Sequence, residues 1–100
     1  MTKEQTFAWI LLSIAFATQT GAADKKEISL IADGINHSVP TEKELQTALS
    51  WLVRKGFVTK QEKKFSLTPE GQKEYENATQ NTKVIFKIWE NLEKRIINYL

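Results

Sequence analysis

The chain has 100 residues, of which 41% are hydrophobic and 26% charged, with a formal net charge of +2. That length holds one domain around a single core, and the composition is that of an ordinary globular protein. The lack of cysteine excludes disulfides and thiolate metal sites and fits a reducing compartment, while so small a net charge implies no polyanion partner unless the charges cluster.

Lys3 is followed by the apolar run AWILLSIAFA and then by small residues as far as GAAD, a pattern shared with secretory signals. Glu4 and Gln5 stand where a signal carries positive charge, and Ser13 interrupts the run. The run also falls short of the roughly 20 residues that a membrane span needs. It is therefore predicted as a folded helix over residues 3–20, in a cytoplasmic protein. Phe7, Ile10, Leu11, Ile14 and Ala17 form one stripe at helical spacing, and Trp9, Leu12 and Phe16 form another. A helix apolar on most sides must be buried on most sides. Gly21 supplies its stop.

Asp24 and Glu27 form a capping-box pair that opens a second helix, running to about Asn36 and burying Ile28, Ile31, Ala32 and Ile35. Residues 36–40 read as a turn, because Pro40 disfavours helix at Val39. Thr41 with Glu44 caps a third helix, whose inward stripe is Leu45, Ala48, Leu49 and Leu52, with Val53 beside it. Trp51 lies at the edge of that stripe, as core rim or exposed contact. Gly56 ends the helix.

Residues 57–60 and 64–68 alternate in the manner of half-buried strands, with Phe57, Phe65 and Leu67 inward and a short polar link between them. Thr68-Pro69-Glu70 is a strong helix start. The helix it opens runs to about Thr79, with Tyr75 and Ala78 as its apolar anchors and Gly71 as a mild cost. After a break at Ala78 to Thr82, Val84, Ile85, Ile88, Trp89, Leu92, Ile96 and Tyr99 recur at three- and four-residue steps to Leu100. This is a long amphipathic helix, with Phe86 and Ile97 off its stripe.

The segments LVRKGFV at 52–58 and FSLTPEG at 65–71, within the order helix, turn, helix, Gly, strand, Lys-rich tip, strand, resemble those leading into and out of the wing of the winged helix-turn-helix superfamily. The resemblance covers roughly residues 7 to 79. The added C-terminal helix is similar in position to that of small dimeric regulators of the MarR and PadR kind. The fold class expected is α+β and mostly α: three helices plus a short two-stranded wing in residues 1–80, and a C-terminal helix in 81–100.

The resemblance implies a regulator of transcription that binds duplex DNA with the third helix in the major groove and the wing on phosphate. Gln46, Thr47, Ser50 and Arg54 would then face bases or backbone, Thr41 and Lys43 would lie near phosphate, and Lys60, Lys63 and Lys64 would be wing contacts. Arg54, Lys55, Lys60, Lys63 and Lys64 against Glu62 alone form a local basic cluster in a nearly neutral chain, which suits phosphate. Glu42 and Glu44 oppose it. They favour the helix dipole but repel phosphate at the end that meets base edges. The competing expectation is therefore a winged module that binds protein rather than DNA. The lysine wing has a structural reading too, as a hairpin shielded by charge from edge pairing.

No enzyme, metal or cofactor is expected. His37 is the only histidine and reads as a polar turn residue, and no glycine-rich phosphate loop or nucleophile-elbow pattern is present. The first and last helices carry more apolar stripe than one small core needs, which points to a homodimer. Trp9, Leu12, Phe16, Ile85, Ile88, Trp89, Leu92, Ile96 and Tyr99 are its expected interface.

Overall fold

A computed structural model describes residues 1–100. The first helix, α1 (Lys3–Ala17), is the axis of the molecule. Thr2 caps it in a reciprocal box with Gln5, and every residue from Thr6 to Ala15 is buried. Such all-round burial follows from its two apolar stripes, since each requires its own cover. Ser13, the polar residue in the run, is fully buried and donates its hydroxyl to the Trp9 carbonyl at 2.7 Å. A buried hydroxyl is tolerated there because it is hydrogen-bonded.

One side of α1 is covered by α2 (Lys25–Asn36), α3 (Glu42–Arg54) and a small sheet. The capping boxes of α2 and α3 form as their sequences require, Asp24 with Glu27 and Thr41 with Glu44. α2 ends on His37, whose φ of 55° is left-handed. The sheet is antiparallel in the order β1-β3-β2, with β1 Ala23–Asp24, β2 Val58–Gln61 and β3 Lys64–Leu67. β1 adds a third strand to the expected hairpin, Ala23 pairing with Phe65 and Asp24 with Lys64. Inward positions differ slightly from the expectation. Phe57 and Phe65 are buried, Val58 is buried as well, and Leu67 is only half-buried.

The other side of α1 is covered from within the same chain. α4 (Pro69–Thr79) leads to α5 (Ile85–Ile96), which lies along α1 and ends in a short 3-10 turn, η1 (Ile97–Tyr99). The Trp89 indole donates to the Gln5 carbonyl at 2.9 Å and stacks on Trp9, ring centres 6.0 Å apart. Trp9 in turn donates to the Ala32 carbonyl of α2 at 3.0 Å. The radius of gyration, 11.9 Å, is no larger than the roughly 13 Å of a single domain this long, so α5 is folded onto the body rather than held out as an arm.

The result is an α+β fold, 66% helical, with five helices and a small three-stranded antiparallel sheet. Trp9, Leu12, Ile88, Leu92 and Ile96, expected at an interface between chains, are buried inside one chain, and Phe16 and Trp89 are partly buried there. Ile85 and Tyr99 stay exposed, at 41% and 40%. The surplus apolar stripe is therefore largely absorbed by α1 meeting α5. No helix is long and apolar enough to cross a membrane.

Candidate functional site

All nine residues expected to meet a polyanion are exposed. Lys43, Gln46, Thr47, Ser50 and Arg54 share the outward face of α3, opposite its buried stripe of Leu45, Ala48, Leu49 and Leu52. α3 separates two grooves. On the side of the hairpin, Gln46, Ser50, Val53, Arg54 and Lys60 line a groove floored by Leu49 and Phe65. On the opposite flank, Thr41, Lys43 and Thr47 face the start of α1, beside Lys3 and Thr6. Arg54 reaches both sides, since it also borders a notch with Lys3, Lys55 and Thr47.

Strand pairing divides the hairpin lysines. Lys60 pairs directly with Phe65, and Gln61 with Lys64. Paired residues share a sheet face and successive residues alternate, so Lys60 and Lys64 point to opposite faces. Lys60 turns toward the groove, its ammonium 5.7 Å from the centre of the Phe65 ring. Lys63 stands in the two-residue turn between β2 and β3. It lines a second groove with Asp24, Lys25, Lys26, Lys60 and Phe65. The two grooves share Lys60 and Phe65, so they adjoin. Arg54, Lys60, Lys63 and Lys26 have no ion-pair partner, which leaves their charge open to an anion.

Nothing local in the sequence places Lys25 and Lys26 beside the hairpin. Both directly follow the Asp24 cap, and it is the β1–β3 pairing that carries the start of α2 up beside the hairpin. A two-residue strand gives no periodic signal, so their position was not legible.

The acidic start of α3 acquires partners. A Glu44 carboxylate oxygen accepts the Thr41 amide at 2.9 Å as the return arm of the capping box. Glu42 accepts from the Lys25 ammonium at 3.3 Å. The Glu42 side chain is 79% exposed, so this pair adds little stability, but it sets a cation against the carboxylate that most opposes phosphate. The same ammonium donates to Gln46 Oε1 at 2.6 Å, and Gln46 Nε2 donates to Ser50 Oγ at 3.0 Å. A hydrogen-bonded chain therefore runs from α2 along the outer face of α3.

Trp51 is core, only 7% exposed. It stacks on Phe7 with ring centres 4.8 Å apart and tilts against Phe57 at 6.2 Å, which leaves no face for a base. Val53, by contrast, is 38% exposed and belongs to the groove rather than the core. His37 is exposed at the end of α2. No group of three or more His, Cys, Asp or Glu is placed to hold a metal ion.

The most heavily bonded ionic group lies elsewhere. Glu74 of α4 is 7% exposed and receives Arg95 Nε at 2.6 Å, Arg95 Nη2 at 3.4 Å and the Tyr99 hydroxyl at 3.1 Å. The hydrogen bond from Arg95 to Glu74 raises the guanidinium's affinity for its proton. The Tyr99 hydroxyl is likewise held above its ordinary range, first by its bond to Glu74 and then by burial. This cluster ties α4 to the end of α5 and is structural. No protein-family model, curated protein or solved structure matches this chain.

Proposed function

We propose that the chain is a winged helix-turn-helix protein that binds duplex DNA as a cytoplasmic regulator of transcription, with α3 in the major groove and the β2–β3 hairpin as its wing on phosphate. The order helix, strand, helix, helix, strand, strand supports the architecture. The observation that carries the function is the adjoining pair of grooves between α3, the start of α2 and the hairpin, where Arg54, Lys60, Lys63 and Lys26 stand unpaired beside the polar groups of Gln46 and Ser50. Cations set this way neutralise phosphate, and the polar groups between them suit base edges. Titration of duplex DNA at several salt concentrations tests the reading. Affinity falls steeply with salt, and Lys60→Gln with Lys63→Gln lowers the log–log slope by about 2. Lys64→Gln, on the far face of the hairpin, has the smaller effect. Failure to bind any duplex at low salt defeats the proposal.

A second reading, a winged module that binds protein, is favoured by one observation. Val84, Ile85 and Phe86 lie exposed at the start of α5, at 62%, 41% and 57%, with Phe86 stacked on Trp89. A homodimer, which would present two α3 helices to a pseudo-palindromic site, has this patch open to it rather than the buried α1–α5 contact. Sedimentation of the purified chain separates the cases. Self-association that Phe86→Lys abolishes supports the homodimer. A monomer removes the homodimer, and a monomer that also acquires no partner in a pulldown counts against the protein-binding reading.

A further inference from the structure

Gln46 is held from two sides before any ligand arrives. Lys25 Nζ donates to its Oε1 at 2.6 Å, and its Nε2 donates to Ser50 Oγ at 3.0 Å. An ammonium can only donate, so the carbonyl end of the amide must face Lys25 and the side chain cannot flip. Each end then keeps one unused valence: a lone pair on Oε1 and an N–H on Nε2. The side chain is exposed and lines the groove on the hairpin side of α3.

We infer that Gln46, oriented by Lys25 and Ser50, is the residue that reads an adenine in the major groove. This deepens the DNA-binding reading and rests on it. Adenine presents an N6 donor beside an N7 acceptor, the complement of a free carbonyl lone pair beside a free N–H. Guanine presents two acceptors, N7 and O6, one of which would meet the Gln46 carbonyl. The fixed amide therefore discriminates between the purines, whereas a freely rotating one could turn both N–H bonds toward the two acceptors of guanine. Lys25 acts here as a positioning residue on a different helix. The same ammonium also donates to Glu42 at 3.3 Å.

The test is selection of bound duplexes from a randomised pool at one low salt concentration, followed by sequencing. The wild-type chain selects adenine at one position by about tenfold or more over the other bases. Gln46→Ala loses that selection. Lys25→Met, which cannot donate, also loses it; Lys25→Arg, which can, keeps it. Both side chains reach the surface, and unchanged thermal unfolding of each variant confirms that the fold is not what has been altered. Identical base preferences for wild type and Gln46→Ala overturn the inference, as do matching profiles for Lys25→Met and Lys25→Arg. A wild type that retains duplex without preferring adenine removes this inference alone. A wild type that retains no duplex removes the DNA reading and this inference together.

Discussion

The carbonyl oxygen of Phe57 occupies the space in which any side chain on Gly71 would begin. A Cβ built on Gly71 would lie 1.9 Å from that oxygen. The same carbonyl accepts the Thr68 amide at 3.0 Å, and the Thr68 hydroxyl donates to the Gly56 carbonyl while capping Gly71 N at 3.1 Å. The start of α4 is thus clamped to the chain entering β2, the hairpin's first strand. Gly71→Ala forces backbone apart, and a destabilisation of about 3 kcal/mol or more is expected, at or above the upper end of ordinary overpacking. Gly34→Ala is the control. Nothing lies within 4 Å of its Cβ position, so it gains helix propensity and stabilises the chain by about 1 kcal/mol. Urea unfolding of both variants checks the pair, and equal effects would show that the clamp is not rigid.

The need for glycine at position 71 leaves no local mark in the sequence. In sequence terms it is a glycine early in a helix, a small penalty; its necessity lies in Phe57, which is distant along the chain. The capping boxes of α2 and α3 depend on residues three apart, and the start of α4 on the contiguous Thr68-Pro69-Glu70, so all three were legible. Among the residues lining the candidate grooves, the exposure of Gln46, Ser50, Arg54 and Lys60 was legible from helical and strand alternation. That Lys64 turns away from Lys60 follows from pairing register, and that Lys25 joins the site follows from a two-residue strand. Neither leaves a local trace. The apolar faces of α1 and α5 were legible as faces, but periodicity does not say whether the cover comes from the same chain.

Glu62 is held in the left-handed region at φ 58°, in the two-residue turn that closes the hairpin. A residue with a Cβ costs about 1–2 kcal/mol there, and glycine does not. Glu62→Gly is expected to raise stability by up to about 1 kcal/mol, less than the full strain because glycine also loosens the unfolded chain. The change also removes the one carboxylate within the basic hairpin tip, so duplex affinity at low salt should rise. A thermal melt that falls instead would mean the Glu62 side chain makes the turn rather than straining it.

The cluster of Glu74, Arg95 and Tyr99 sets a different expectation. The Glu74 side chain is 9% exposed and that of Arg95 39%. Removing one partner of a fully buried pair costs about 3–5 kcal/mol, and the half-exposed guanidinium moderates this. Arg95→Met should cost about 2 kcal/mol, seen as a lowered urea midpoint. Restoration by Glu74→Gln in the same chain would identify the stranded carboxylate as the cause. No restoration would place the loss in packing of the arginine stem instead.

Tyr99 and Tyr75 also fix the direction of the alkaline response. The Tyr99 hydroxyl is held to its proton by donation to Glu74 and then by burial, and Tyr75 by burial alone. Both therefore ionise at higher pH in the folded chain than in the unfolded one, whose tyrosines lose protons near about 10. The stabilisation is fully present below that value and is lost as pH rises through the folded values, because the unfolded state then binds fewer protons. Tyr99 also loses its hydrogen bond on ionising and meets the Glu74 carboxylate with like charge. Unfolding free energy measured from neutral pH to above 10 should decline more steeply for wild type than for Tyr99→Phe, which has no proton to release. Tyr99→Phe should itself be less stable by about 1 kcal/mol at neutral pH, the worth of one hydrogen bond, so the two curves converge as the solution becomes alkaline. Parallel curves would show that Tyr99 donates to water rather than to Glu74.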